Sequence, residues 1–442
     1  MAATMETKAT LALARNPSPV HAGAPAESQE LRLAAQVQRT MLPPRSFVGD
    51  RTFYTTLWKP KDAVSGDFYE ALPIAGGDWL YVLGDVQGHG TVAAMAMMAV
   101  QGFLRQLSRL EDLRELGPAD VANALQGFVA SNLGSVSYLT ALVCFHRPAE
   151  GVVDWISCGA PDPAVVDPDD PAPRDINPEK RGGLPVGLLP DTVYTAADAV
   201  RTPLAGAAVF AAWTDGVLDL ARGPDGAGPM PDDLRRRVRD GLLLRARRNG
   251  SVFAAPWKFL AACGEQGYGE CPDDVTQLVF GPRLAKPGVL ELSVPVQAGA
   301  IDRAAERIGE WCAAQGWGVA AAAKVQIVFQ EKLMNVHDHG LDPGDRVRET
   351  ACARLRRAGA DAELSVWDCG APEPEPAEIP GGVAAALERR NREFSPRGRG
   401  LLMLREICSS IRLDRYGDLN ESVYTIPLGD PESALAGQDG LD

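Results

Sequence analysis

Several things are scarce in this sequence, and each scarcity excludes a class of protein. Histidine occurs five times in 442 residues, and the eight cysteines never form a C-x-x-C pair. Little material is left for zinc or copper sites built on imidazole and thiolate. Scattered cysteines in so long a chain predict reduced, buried thiols and a cytoplasmic setting, not a disulfide frame. Basic residues are outnumbered, 44 Lys and Arg against 58 Asp and Glu, for a net charge of −14. Nucleic-acid binders and proteins that lie on anionic lipid need the opposite balance, so neither nucleic acid nor membrane is expected as a partner. The longest apolar runs, residues 92–100 and 205–213, stop far short of the roughly 18 residues of a membrane span. Lys8 and Arg15 precede no apolar stretch with a cleavage site, so a secretory leader is not expected. What remains is 45% apolar and 23% charged, a globular composition at a length that suits two or three domains.

Punctuation divides the chain. Residues 1–27 are Ala-, Pro-, Ser- and Thr-rich and read as a disordered tail. In ESQELRLAAQVQRTML, the residues Leu31, Ala34, Ala35, Gln38 and Leu42 recur at helical spacing until Pro43-Pro44 stops the pattern. Residues 28–44 are therefore expected to form a helix, either an ordinary packing helix or a linker that passes signals onward. A homodimer is compatible with the second reading. Residues 45–285 alternate short β-type runs with turn signals, interrupted by helices at about 90–110 and 118–131, which predicts an α+β domain with antiparallel pairing. Lys286-Pro287-Gly288 opens a third part, 286–430, with the strand VLELSVPV, two helices, two more strands, and a closing helix and strand. Residues 431–442 read as a second disordered tail.

Chemistry concentrates at strand ends. Asp67 lies in VSGDFYE, Asp85 in LGDVQGHG, Asp215 in WTDGVLD, and Asp273 and Asp274 in CPDDVTQLVF. Strand ends can aim carboxylates into one cleft without burying them unpaired, and hard oxygen donors suit Mg²⁺ or Mn²⁺. Each motif alone has a plainer explanation: T-D-G is a common turn, P-D-D opens turns, and D-x-x-G-H-G can simply enter a helix. Four on one domain weigh against coincidence. His89 can either cap the helix that starts at Gly90 or protonate a leaving group.

In the third part, Glu331, Asn335 and His339 of VFQEKLMNVHDHG stand at i, i+4 and i+8, an arc of about 80° on a helix. A solvated polar stripe explains three such residues equally well. Asp368-Cys-Gly370 follows a strand, and Gly398-Arg-Gly400 opens the last helix, where free N–H groups can meet phosphate.

In order, VSGDFYE, DVQGHGTVAAMAM, ISCGAPDPAVV, GLPVGLL, WTDGVLD and DDVTQLVF resemble the PPM-type serine/threonine phosphatases of the SpoIIE-like branch. The resemblance implies an α/β/β/α sandwich with two Mn²⁺ or Mg²⁺ ions. It gives Asp85 the bridging position, with the Val86 carbonyl beside it. Asp67, Asp215 and Asp273 complete the set, with Asp274 as a neighbouring choice. The sequence departs at Ser65 for Gly, Glu70 for Asp and Ala160 for His. The third part resembles GHKL (Bergerat) ATP-binding domains, most closely the RsbW-like anti-sigma-factor serine kinases. That likeness implies an α/β sandwich and ATP with Mg²⁺. Asn335 would hold the Mg²⁺ and Glu331 would be the base. Asp368 would read adenine, Gly370 would let it pack, Gly398 and Gly400 would approach the phosphates, and 371–397 would be the lid. The combination implies a partner-switching regulator that dephosphorylates a STAS-type anti-sigma-factor antagonist and contacts a sigma factor. The alternative is a phosphatase whose ATP module binds partners without chemistry. A sensor histidine kinase does not fit, because His337 and His339 lie inside the ATP motif and no H-box helix precedes it.

Overall fold

The computed structural model describes residues 26–133, 138–170, 175–222, 228–249, 252–341, 349–372 and 399–429. The two expected tails, apart from residues 26 and 27 of the first, and most of the expected lid (373–397) lie outside these residues. Among the described residues, fifteen strands form three five-stranded sheets, and every ladder is antiparallel.

The first two sheets face each other. One runs β1(Ser46–Val48), β2(Thr52–Lys59), β10(Val275–Pro282), β9(Val209–Trp213), β7(Ala164–Val166). The other runs β3(Asp67–Pro73), β4(Trp79–Val86), β5(Leu139–Arg147), β6(Val152–Cys158), β8(Val200–Pro203). The two-residue period of a strand sorts the side chains. Phe210, Ala212, Leu278 and Phe280 enter the core between the sheets, where Phe280 stacks on Tyr81 at 4.2 Å between centroids. Val209, Ala211, Val275 and Val279 enter a second core on the outer side. Helices α2(Gly90–Leu107) and α3(Pro118–Asn132) cover the β3–β8 sheet, and α4(Asp232–Asn249) and α5(Ala255–Glu265) cover the other. This is the expected α/β/β/α sandwich. The pair α4 and α5 was not expected from the sequence: α4 reads DDLRRRVRDGLLLRARRN, too arginine-rich to show an apolar stripe. Its arginines are used locally. Arg247 donates to the Ala207 carbonyl and lies over Phe53, and Arg239 lies over Trp213.

The third sheet runs β11(Val289–Pro295), β12(Thr350–Ala358), β13(Asp361–Asp368), β15(Leu419–Pro427), β14(Ser410–Tyr416). Helices α6(Ala298–Ala314) and α7(Val319–Asn335) share its core through Ile301, Ile308, Val325 and Phe329. Strand β14 (SIRLDRY) is a further correction, since the closing region was expected to hold one strand. The sheet's other face carries Cys352, Trp367 and Leu419 into the outer core around α5, and Lys258 pairs with Glu421 at 2.7 Å.

Helix α1(Ala26–Met41) precedes all this. Ala35 packs with Val64 and Ala94, and Leu42 enters the core of the two-sheet unit. Arg45, just beyond, faces Glu349 and Asp418 of the third-sheet unit and lies over Trp257. No helix among the described residues is long and apolar enough to cross a membrane.

Candidate functional site

Asp67 and Asp85 are direct cross-strand partners in the β3–β4 ladder, so their side chains leave the same face of the sheet. From the facing sheet, Asp215 follows β9, and Asp273 and Asp274 precede β10, the neighbour of β9. A Cβ at Gly216 would stand 1.9 Å from the Asp274 carbonyl oxygen. The glycine of W-T-D-G is therefore required by backbone contact, and that contact brings Asp215 to Asp273. Gly66 has a similar role: a Cβ there would meet the Val86 carbonyl oxygen at 2.7 Å.

The carboxylates differ in what already holds them. Asp67 is buried, and its Oδ2 accepts from Thr214 (2.7 Å) and Thr276 (2.6 Å). Asp274 is also buried, and its two oxygens accept from the backbone N–H of Lys61 (2.7 Å) and Gly66 (3.0 Å). It clamps the loop before β3. Asp273 is exposed and accepts only from the Asp274 N–H among the hydrogen bonds seen here. Burial and then its neighbours Asp215, Asp273 and Asp274 push Asp85 up to about 8. Burial, Asp273 and Asp219 raise Asp215, and burial followed by Asp85 raises Asp67. The five positions thus share one crowded negative field drawn from both sheets. No group of three or more His, Cys, Asp or Glu side chains among the described residues is arranged to hold an ion as it stands.

Around this cleft, His89 is the N-cap residue of α2, exposed and without a side-chain capping bond. Glu70 faces Arg105 of α2 at 2.8 Å, and Arg105 also donates to the Met41 carbonyl at the end of α1. Gln38 of α1 is fully buried: its Nε2 donates to the Ser65 carbonyl (2.6 Å) and its Oε1 accepts from the Ser65 N–H (3.0 Å). The first helix thus grips the loop that carries Gly66 and Asp67. Sequence reading placed Gln38 on the stripe but gave it no role; a polar residue inside an apolar stripe was the available signal. Thr214 and Thr276 were missed.

In the third-sheet unit, Glu331 and Asn335 are half-buried in the last turns of α7. His339 does not continue their stripe, because Val336–Gly340 is a π-helical turn and His339 is exposed. Asp368 ends β13, buried. Its Oδ1 accepts from the Gly370 N–H and from Asn420 Nδ2, both at 2.9 Å. Its Oδ2 stands 2.8 Å from Nζ of Lys332, and both side chains are 1% exposed. A Cβ at Gly370 would stand 3.0 Å from Asp368 Oδ1 and 3.1 Å from Val336 Cγ1, so only glycine keeps this turn closed on the helix. Gly398 lies outside the described residues, and Gly400 lies in the last helix, Arg399–Ile407. Lys332 and Asn420 were not anticipated; a lysine on a helix reads as a solvated position.

Residues 75–282 match the family described as Stage II sporulation protein E (SpoIIE), and residues 294–424 match the histidine kinase-like ATPase domain. No curated protein matches the chain. Among solved structures, the RsbU and RsbW domains of Rv1364c from Mycobacterium tuberculosis are 20% identical, with 87% of this chain and 96% of that one covered and a TM-score of 0.46. The SiaA-PP2C domain of Pseudomonas aeruginosa is 22% identical, with 58% and 96% covered and a TM-score of 0.46. The PP2C phosphatase domain of SpoIIE from Bacillus subtilis, with a fragment of its regulatory domain, is 14% identical, with 55% and 66% covered and a TM-score of 0.41. The chain thus carries a region that matches the SpoIIE family model, followed by a region that matches the histidine kinase-like ATPase domain.

Proposed function

We propose that this chain is a cytoplasmic partner-switching regulator. Its first unit removes phosphate from a phosphoserine or phosphothreonine protein, and its second binds ATP·Mg²⁺ and phosphorylates a serine. The observation that carries the first half is the crowding of Asp85 with Asp215 and Asp273 across the two sheets. Carboxylates that repel one another in a cleft are what cations relieve, and all-oxygen donors suit Mg²⁺ or Mn²⁺. Asp67, Asp85, the Val86 carbonyl, Asp215 and Asp273 would hold two ions. Asp274 is the weaker choice, because both its oxygens serve the loop. When bound, such ions would activate water near neutral pH and neutralise phosphoryl oxygens. Thr214 and Thr276 fix Asp67 and partly offset the burial that raises it, and His89, exposed beside the cleft, would protonate the departing seryl oxygen.

The ATP half rests on Asp368. A carboxylate has about four acceptor positions; Gly370, Asn420 and Lys332 face three of them, which leaves one on Oδ2 for a base amino group. Asn335 would hold Mg²⁺, Glu331 would take the serine proton, and Gly370, Gly398 and Gly400 would admit the base and phosphates. The substrate class is a STAS-type anti-sigma-factor antagonist with one regulatory serine, with a sigma factor as the competing partner. Phosphate adds about two negative charges and can break such an interface.

The test is a paired assay on a phosphorylated antagonist. Release of phosphate should require Mn²⁺ or Mg²⁺, and the dephosphorylated protein should accept phosphate from ATP unless Glu331 is replaced by Ala. Full-rate hydrolysis in EDTA rejects the metal half. ATP binding without transfer replaces the kinase with a sequestering module.

A further inference from the structure

Asp368 has a buried cation beside it. Lys332, one residue after Glu331 on α7, turns inward instead of toward solvent and meets Asp368 Oδ2 at 2.8 Å. The opposite oxygen is saturated by Gly370 and Asn420. Any base amino group that bonds to Asp368 must therefore use Oδ2, the oxygen that already faces the Lys332 ammonium. In adenine the ring atoms flanking the amino-bearing carbon include an acceptor nitrogen, N1, and N7 lies on the other flank. An ammonium beside Oδ2 meets one of these.

We propose that Lys332 is a specificity-determining residue for the nucleotide, donating to the adenine ring nitrogen beside the amino group that Asp368 accepts. The base is read by a paired donor and acceptor, with Asp368 oriented by Gly370, Asn420 and Lys332. The inference rests on the ATP-binding reading of this unit and adds the second half of the base contact. A lone carboxylate would test only for an amino group; the pair also tests for the acceptor next to it. A charged donor that loses its acceptor in a buried site is strongly penalised.

The experiment is calorimetric titration of the full-length protein with Mg²⁺ and ADP, 1-deaza-ADP or 7-deaza-ADP. One deaza analogue should bind about tenfold or more weakly, the effect of losing one charge-assisted bond, and the other should bind like ADP. In Lys332→Met, checked for folding by circular dichroism, that difference should vanish while ADP itself binds more weakly. If that variant does not fold, Lys332→Gln, which retains a neutral donor toward Asp368, should show a reduced difference. Equal binding of all three nucleotides by the unmodified protein overturns the role of Lys332 and leaves the ATP reading intact. An undiminished difference in Lys332→Met also overturns it. Failure of ADP to bind rejects the nucleotide reading together with this inference.

Discussion

The aspartate cleft of the two-sheet unit and the surroundings of Asp368 in the third-sheet unit both depend on aspartates at strand ends, but they treat them in opposite ways. In the cleft, Asp85 is surrounded by Asp215, Asp273 and Asp274, and its charged form is opposed by its neighbours. In the pocket, Asp368 has an ammonium, an amide and a backbone N–H around it. Like charge that is left crowded makes a site for cations. Charge that is balanced in advance makes a site for a neutral, hydrogen-bonding base. The same side chain is therefore opposed by like charge in one unit and faced by an opposite charge in the other, and each can be perturbed with a predictable sign.

The largest effect should come from the crowded side. Asp85→Ala or Asp215→Ala should lower metal-dependent hydrolysis of a phosphoserine peptide by about a hundredfold or more, because electrostatic stabilisation of the phosphoryl group would be lost. Gly216→Ala should do nearly as much without touching a carboxylate, because its methyl group would collide with the Asp274 carbonyl. Steady-state kinetics across a Mn²⁺ titration separates the two cases. The glycine variant should keep some metal response at raised concentrations.

The balanced side gives the next effect. Asp368→Asn removes the counter-charge that faces the buried Lys332 ammonium. The cost should be about 3–5 kcal/mol of the stability of that unit, read from its transition in urea. Adenine nucleotide binding should weaken as well. A neutral result would mean that the pair opens to water freely and that the contrast between the two sites is overstated.

The legibility of the sequence followed a physical rule. Features that depend on near neighbours could be read: the strand-end aspartates, the glycines beside them, the start of α2 at Gly90 and the stripe of α1. Features made by contacts distant in sequence could not. Glu70 stood out only as a departure from the family's Asp, and its partner Arg105 lies 35 residues away; Lys332 drew no notice, and its partner Asp368 lies on another element. Gln38 reaches Ser65 across 27 residues. Helix α4 was hidden because its arginines cover apolar surface with their stems instead of forming an apolar stripe. His339 left the predicted face because the helix widens into a π turn.

A third prediction tests whether the crowding is held in place from outside. Gln38→Leu keeps the volume but removes both bonds to Ser65. An unsatisfied buried backbone group costs about 1–3 kcal/mol, and here that cost falls on the loop ahead of Asp67. Metal affinity of the cleft should fall by about tenfold, measured as the Mn²⁺ concentration for half-maximal rate, while nucleotide binding should not change. The pair Leu31→Asp and Leu42→Asp is a poorer probe, because Leu42 lies in the core between the sheets. If Gln38→Leu leaves the Mn²⁺ dependence as it was, α1 is a spacer.

The smallest effect is the most specific to the comparison. Asp85 sits near 8 in the folded chain and near the ordinary carboxylate value when unfolded. Between about pH 4 and 8 the metal-free folded state keeps a proton that the unfolded state releases. Stability of the metal-free protein should therefore fall as pH rises through that window and level off above it. Added Mn²⁺ competes with the same proton, so its stabilising increment should grow with pH over the same range. Asp85→Asn removes the repulsion and should raise metal-free stability by about 1 kcal/mol, a value kept small by partial exposure, while it flattens the pH slope. Thermal unfolding in EDTA and in Mn²⁺ at several pH values measures all three quantities. A metal-free stability that rises toward pH 8 would mean that the carboxylates are relieved by something other than a cation. The cleft would then resemble the balanced pocket, and the two sites would no longer differ in kind.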